Sequence, residues 1–362
     1  MVRRSVLSLK PYIAGKPIEE VERELGITNI DKLASNENLW GISPKVARAI
    51  IEAVNEVNYY PDGGAFQLKG KLAEKFGFSP ENIIVGNGSD ELVMLLAMTL
   101  IDPGDEAVMP VPSFPRYEPV VTMMNGTARE IPLKEHRLDL ESMLAAVNEK
   151  TKLVYLCNPN NPTGTYFSSG ELENFLEKVP PKVIVVLDEA YFEFARLNPD
   201  YPDGLNYFKK SSNIVVLRTF SKAYGLAGLR VGYGFAPDYL AKSINSLRPP
   251  FNVNFLAQKA AVAALEDEQY MRSVVENTNL EKQFLYQELK NMNLTFIPSA
   301  ANFLMIKTGK PSNLVFRELL KRGVIIRSGD IFGMDDWIRV TIGTKTQNER
   351  FLRELKAVLE II

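Results

Sequence analysis

Between residues 83 and 235, short runs of Val, Ile and Leu alternate with segments of helical periodicity, and this alternation restricts the fold more than any other feature of the chain. Strand-length apolar runs fall at 83–85, 107–109, 153–156, 183–187, 214–217 and 231–235. Helical patterns lie near 44–57, 66–76, 90–100, 115–124, 139–148 and 169–178. A strand followed by a helix returns to the same sheet through a crossover, so the sheet is expected to be mostly parallel and covered on both faces. The unbroken apolar character of 183–187 fits a central strand buried on both sides. The expectation is an α/β fold with a three-layer αβα body.

After Arg248-Pro249-Pro250 the pattern changes. A long helical stretch runs from about 255 to 291, with a break near Asp267. Strand-like segments follow around 302–306, 324–326 and 338–342, and a closing helix spans about 347–359. A chain of 362 residues is also longer than one hydrophobic core usually serves. We therefore expect a large body over 36–250 and a smaller α+β body over 251–362. The Pro/Gly-punctuated arm of 1–35 would pack on the smaller body or on a partner subunit.

Composition narrows the function. A formal net charge of -2 gives no bulk electrostatic case for nucleic acid or an anionic membrane. No apolar run is long enough to cross a bilayer. The basic start is interrupted by Pro11 and Gly15, so no signal-peptide core is expected. The single thiol, Cys157, forms no internal disulfide, which suits a cytoplasmic location. The single histidine, His136, sits in Lys134-Glu135-His136-Arg137, a polar run that reads as a solvated turn. A Ser-His-Asp hydrolase or a histidine-rich metal site would need histidine at its centre. No metal site is expected, and some other group must move protons.

Four polar segments follow the apolar runs, where ligands bind in sheets of this kind. Asp188 closes the strand 183–187 and precedes Glu189-Ala190-Tyr191. Alone it reads as a turn or helix cap; as a ligand group, it is a carboxylate able to pair with a protonated ring nitrogen. Arg218-Thr219-Phe220-Ser221-Lys222 follows the next strand, with Arg230 a short way on. Lys222 alone is one lysine among many. Partly desolvated and near a cation, it has a lowered pKa and acts as an amine nucleophile. Gly86-Asn87-Gly88-Ser89-Asp90 precedes an apolar helix and reads either as an N-cap or as a phosphate site on the helix amides. Asn158-Pro159-Asn160-Asn161-Pro162-Thr163-Gly164 is a tight turn that can also aim an Asn at a ligand.

Asn161-Pro162-Thr163-Gly164, Asp188 with Tyr191, and Ser221-Lys222 with Arg230 stand in the order and approximate spacing of fold-type-I pyridoxal-phosphate-dependent aminotransferases. Further stretches narrow the match: 11–17, Leu33-Ala34-Ser35-Asn36-Glu37-Asn38, Gly225 to Arg230, and 338–344. Over essentially its whole length the sequence resembles the histidinol-phosphate aminotransferase family. That resemblance implies an aspartate-aminotransferase-like fold with pyridoxal 5'-phosphate as cofactor. Lys222 would hold the cofactor aldehyde as a Schiff base and shuttle a proton. Asp188 would pair with the pyridine nitrogen, while Tyr191 and Asn161 would bond the ring's phenolic oxygen. The amides around Gly88, Ser89 and Asp90, with Ser221, Arg230 and, more weakly, Thr219, would hold the phosphate. Phe114 stands where an aromatic ring stacks on the cofactor, though it reads equally as ordinary core. Tyr60 matches a tyrosine that reaches the neighbouring subunit's phosphate, which implies a homodimer with shared active sites.

For the substrate, Arg339 matches an arginine that grips a substrate carboxylate with two parallel hydrogen bonds. Arg327, Tyr12 and Asn36 are further candidates for the substrate's anionic end. The family run Asn-Glu-Asn-Pro is broken here by Leu39, ahead of Trp40-Gly41, which puts the substrate-side loop in question. The implied reaction is ping-pong amino transfer from histidinol phosphate to 2-oxoglutarate, in histidine biosynthesis. The rivals are transfer from aromatic amino acids, and decarboxylation of a phosphorylated amino acid. A dehydrogenase is disfavoured, because no Gly-x-Gly-x-x-Gly follows the first strand.

Overall fold

The computed structural model describes residues 2–11 and 15–362. Seven strands form one sheet, in the spatial order Ile83–Gly86, Gly232–Phe235, Ile214–Thr219, Ile184–Asp188, Thr151–Cys157, Glu106–Val111 and Thr127–Pro132. The last five pair in parallel, and Gly232–Phe235 runs antiparallel to both of its neighbours. Every position of Ile184–Asp188 is buried, as expected of the central strand. Thr127–Pro132 was not anticipated from the sequence. It lies at the sheet edge, where Thr127, Arg129 and Glu130 face solvent, so its polar composition hides it.

Side-chain alternation along these strands sorts the core into two faces. Ile184, Val186, Leu217 and Tyr155 pack with Leu92 and Leu96 of helix Ser89–Leu100 and with Val120 of helix Tyr117–Met123. Val185, Leu187 and Val216 pack on the other face with Leu68, Leu72, Phe175 and Phe208. Helices thus cover both faces, giving the expected three-layer αβα arrangement.

Local capping sets several helix boundaries. Ser43 accepts from the Val46 amide ahead of Pro44–Ala53, and Ser168 with Glu171 forms a capping box on Ser169–Leu176. The break in the long helical stretch is a cap as well: Phe255–Leu265 ends, and Asp267 accepts from the Tyr270 amide to begin Glu268–Asn291. Phe255–Leu265 lies beyond residue 250, yet its buried alanines pack with Val46, Leu68 and Leu72 in the core of the large sheet.

A second, antiparallel sheet has the order Arg327–Ser328, Trp337–Thr341, Phe303–Lys307 and Thr295–Ile297. Its core combines Leu304, Ile306, Ile338 and Val340 with Leu285 and Leu289 of Glu268–Asn291, Val315 and Leu319 of Ser312–Lys321, and Phe351 and Leu355 of Lys345–Ile361. Asp31–Lys32 pairs in parallel with Val324–Ile325, which brings Leu33 into the same core. His136 lies in a tight turn bridged by Lys134 and Arg137, with its ring edge-on to Trp337 at 5.2 Å. Among the described residues, no helix is long and apolar enough to cross a membrane.

One buried ion pair ties two central strand ends. Arg218, 1% exposed, donates from Nε and Nη2 to Glu189 Oε2 at 2.9 and 2.7 Å, and from Nη2 to Asp203 Oδ1 at 2.7 Å. Its guanidinium lies 3.4 Å from the Phe192 ring centroid. Removing one member of such a pair strands the other in a low-dielectric interior. Arg218→Met is therefore expected to lower unfolding stability by about 3–5 kcal/mol, read from urea denaturation followed by circular dichroism. A loss below about 1 kcal/mol, the usual worth of an exposed pair, would contradict the assignment.

Candidate active site

Because the five neighbouring strands are parallel, their C-terminal ends lie together, and a cavity of ≈ 790 Å³ opens there. Cys157, Asp188 and Thr219 end three adjacent strands and all line it. Asp188 is only 3% exposed. Its Oδ2 accepts from the Tyr117 hydroxyl at 2.7 Å, whereas its Oδ1 has no hydrogen-bond partner. Burial pushes its pKa up to about 6, against the opposing effects of the Tyr117 hydrogen bond and the Ala190 amide.

Lys222 follows Thr219 by three residues, and its chain turns back as Gly225 N–H donates to Lys222 O at 3.0 Å. Its Nζ donates to the Ser35 carbonyl at 3.0 Å and lies 5.7 Å from the Tyr191 ring centroid. Burial, then the positive charge of Arg339, bring its pKa down to about 7; Glu37 opposes this, and Arg230 and Lys32 add to it. Near neutrality the amine therefore has a substantial neutral, nucleophilic fraction.

An anion cradle forms beside it. The N-cap of helix Ser89–Leu100 is Gly88 at φ 80, which leaves the first amides without a side-chain cap. A Cβ on Gly88 would come within 2.5 Å of Arg230 Nη2, and one on Gly232 within 2.4 Å of the Ser89 amide nitrogen. Gly232 thus packs too closely on the Gly88–Ser89 backbone for any side chain, while at Gly88 the positive φ is what favours glycine. Arg230 donates from Nη1 to Ser221 Oγ at 3.4 Å, and Thr219 donates to Ser221 Oγ at 3.0 Å. Asp90 binds Arg116 Nε at 2.8 Å, which offsets its negative charge in the cradle. Free helix amides with a nearby guanidinium are a phosphate-binding arrangement.

The second sheet supplies two more cations. Arg327 and Arg339 are direct register partners on antiparallel strands, so their side chains leave the same face, and both line the cavity. Arg339 is 6% exposed; its Nη2 donates to Ala34 O at 2.8 Å and its Nη1 to Asn161 Oδ1. With that oxygen engaged, Asn161 keeps its Nδ2 as a donor for a ligand. Asn36, expected at the substrate's anionic end, uses its amide within the protein: Nδ2 donates to the Tyr191 hydroxyl at 3.0 Å, and Oδ1 accepts from Thr341 at 3.3 Å.

Phe114 lines the cavity while also packing against the core. Tyr60 is 81% exposed, stacked on Phe251 at 4.7 Å, and does not line this chain's cavity. Tyr12 lies outside the described residues. Leu39 and Trp40 do not line the cavity; both pack against the core of the second sheet. The departure at Leu39 therefore falls behind the wall rather than on it. Sequence reasoning missed Tyr117, Arg116 and the Ser35 carbonyl. Their partners are 71, 26 and 187 residues away, and no local motif marks such pairs.

In protein free of any bound ligand, Lys222 is expected to react with an acylating reagent with a midpoint near pH 7, and Arg339→Gln should move that midpoint upward. Pulsed labelling with mass spectrometry across pH checks this. A midpoint at the ordinary lysine value of about 10.4 would contradict it.

The family model Aminotransferase class I and II matches residues 28–355. The chain is 80% identical over 362 residues, the full length of both, to histidinol-phosphate aminotransferase 2 of Carboxydothermus hydrogenoformans. It is 49% identical to histidinol-phosphate aminotransferase of Moorella thermoacetica, over 99% of this chain and 92% of that one. Among solved structures, histidinol-phosphate aminotransferase from Sinorhizobium meliloti in complex with pyridoxal-5'-phosphate superposes with a TM-score of 0.92 at 30% identity, covering 99% of this chain and 98% of that one.

Proposed function

The chain belongs to the class I and II aminotransferases, and on that premise we propose that it moves an amino group between histidinol phosphate and the 2-oxoglutarate/glutamate pair in histidine biosynthesis, with pyridoxal 5'-phosphate as cofactor. The observation that carries this reading is a buried amine of lowered pKa within electrostatic reach of two cationic groups, Arg230 in the helix-end cradle and Arg339 beside Arg327.

The residues present fit the cofactor. The unpartnered Oδ1 of buried Asp188 suits a protonated ring nitrogen. The Gly88 amide is engaged by the Gly86 carbonyl at 2.8 Å, so the amides at Ser89 and Asp90, with Thr219, Ser221 and Arg230, are the groups that suit a phosphate. Lys222 suits an aldehyde. Phe114 would stack on the ring, and Tyr191 with Asn161 Nδ2 would bond the phenolic oxygen. When bound, the cofactor supplies a carbonyl that condenses with amines and a cationic ring that accepts negative charge developing at the neighbouring carbon.

This chain's residues do the rest. Lys222 Nζ, with a substantial neutral fraction near pH 7, accepts the proton from the substrate's reacting carbon and holds it for return. Asp188 supplies the fixed negative charge opposite the ring nitrogen. Asn36 orients the Tyr191 hydroxyl. Arg327 and Arg339 would fix the anionic end of the substrate and so orient its reacting carbon toward Lys222 Nζ. One pair of guanidiniums serves the phosphate of one substrate and the distal carboxylate of the other, so each half-reaction of a ping-pong cycle uses the same grip.

The proposal includes a cytoplasmic homodimer in which the partner subunit's Tyr60 reaches this cavity. The exposed apolar side chains Ile51, Val54, Val57, Tyr59 and Phe66 offer a surface for a second copy. Residues 36–250 would work as the cofactor-binding body. Residues 251–362 with the first 35 would form the substrate-gripping body, with Phe255–Leu265 as the joint between them.

Lys222→Ala should abolish amino transfer and the visible absorption of the bound cofactor. Arg327→Gln should lower kcat/KM for histidinol phosphate by about 10- to 100-fold. It should leave the lower kcat/KM for unphosphorylated histidinol unchanged. Steady-state kinetics with both amines checks this, and equal losses for the two would contradict the arginine grip. A higher kcat/KM for phenylalanine than for histidinol phosphate, or carbon dioxide release without 2-oxoglutarate, would overturn the substrate assignment.

A further inference from the structure

Tyr117 has no role in the mechanism above, yet it makes the one side-chain hydrogen bond that Asp188 accepts among the described residues. Its hydroxyl donates to Asp188 Oδ2 at 2.7 Å, with the tyrosine 1% exposed and the aspartate 3% exposed. Burial first, and then the Asp188 charge, push the hydroxyl's pKa well up, so it stays a donor at any working pH. The ring cannot swing freely. It is the first residue of helix Tyr117–Met123, it stacks on Tyr155 with centroids 4.5 Å apart and planes 9° apart, and it meets Phe114 edge-on at 5.5 Å.

The consequence for Asp188 is geometric. A carboxylate that is free to rotate presents either oxygen, or neither, to a ligand. With Oδ2 tied to Tyr117, rotation breaks a charge-assisted bond in a buried place, where the loss is not made up by water. That leaves Oδ1, which has no hydrogen-bond partner, as the oxygen available to a ligand of the cavity that Asp188 lines. The same short segment, from Phe114 to Tyr117, thus carries both an aromatic face for the cavity and the donor behind its acid.

We propose that Tyr117 is a positioning residue for the cofactor, holding Asp188 through Oδ2 so that Oδ1 meets the protonated ring nitrogen. The inference rests on the pairing of Asp188 with that nitrogen proposed above. Tyr117 touches neither substrate nor cofactor in this scheme. Its effect reaches the ring only through the carboxylate, so removing the hydroxyl should matter for a ring that carries a basic nitrogen and not for one that lacks it.

The test measures equilibrium affinity of the cofactor-free protein for two probes, pyridoxal phosphate and its 1-deaza analogue, whose ring nitrogen is replaced by C–H. Four proteins are titrated: wild type, Tyr117→Phe, Asp188→Ala and Tyr155→Phe. Phenylalanine at 117 keeps the stacked ring and removes only the hydroxyl. Tyr155→Phe is the control, because among the described residues the Tyr155 hydroxyl bonds to the Val93 carbonyl alone, at 3.5 Å. Wild type should prefer pyridoxal phosphate to the analogue, and Asp188→Ala should lose the preference. Tyr117→Phe should bind pyridoxal phosphate about tenfold more weakly or worse, while its affinity for the analogue stays within about twofold of wild type. Tyr155→Phe should match wild type with both probes. Equal losses for both probes in Tyr117→Phe would reduce Tyr117 to a shape-filling role and overturn the proposal. Wild-type affinity of Tyr117→Phe for pyridoxal phosphate would overturn it as well. If Asp188→Ala keeps the wild-type preference, the pairing beneath the proposal is itself wrong and the proposal falls with it. That failure appears in the Asp188 arm and is distinguishable from the other two.

Discussion

Strands Ile184–Asp188 and Ile214–Thr219 run in parallel with Asp188 opposite Leu217, and the Glu189 amide donates to the Leu217 carbonyl at 2.8 Å. Alternation along the two strands then divides four polar residues between two faces. Asp188 and Thr219 turn to the cavity, while Glu189 and Arg218 meet on the other face as a buried ion pair. A slip of one residue would exchange the sets, placing the ion pair in the cavity and the functional acid in the apolar core. Lys222 is three residues beyond Thr219, so its position inherits whatever precision this register has.

The charges of the cavity are arranged against their own solvation. Burial raises the Asp188 pKa to about 6 and lowers that of Lys222 to about 7, each toward its neutral form. Two arginines are paired across adjacent strands, where like charges repel. A ligand with a protonated ring, an aldehyde and anionic groups at both ends relieves each of these demands at once. The protein also limits where the relief can occur. The Gly232 position admits no side chain, and the Asn36 and Asn161 amides are partly spent on Tyr191 and Arg339.

Much of this was legible in the sequence. The buried strands were visible because their apolar runs are continuous, and Asp188 and Lys222 stood out because a polar residue just beyond such a run lies at the strand's C-terminal end. Thr127–Pro132 was hidden by its exposed, polar edge position. Leu39 drew attention as a departure in a substrate-side motif, yet its side chain packs into the second sheet's core, a placement that only tertiary structure sets. Tyr117 reads in sequence as one more buried aromatic; its function depends on a strand end 71 residues away. Asn36 was readable as polar and near the site, but not as the partner that Tyr191 and Thr341 consume.

The central claim is that a buried carboxylate holds a charged heterocycle opposite a neutral amine. The most direct measurement is the nitrogen-15 chemical shift of ring-labelled pyridoxal phosphate bound to the protein. With Asp188 in place, the ring nitrogen should show the shift of a protonated pyridinium across about pH 7 to 9, and Asp188→Ala should show the unprotonated shift over the same range. An unprotonated ring nitrogen in the wild-type protein at neutral pH would contradict the account.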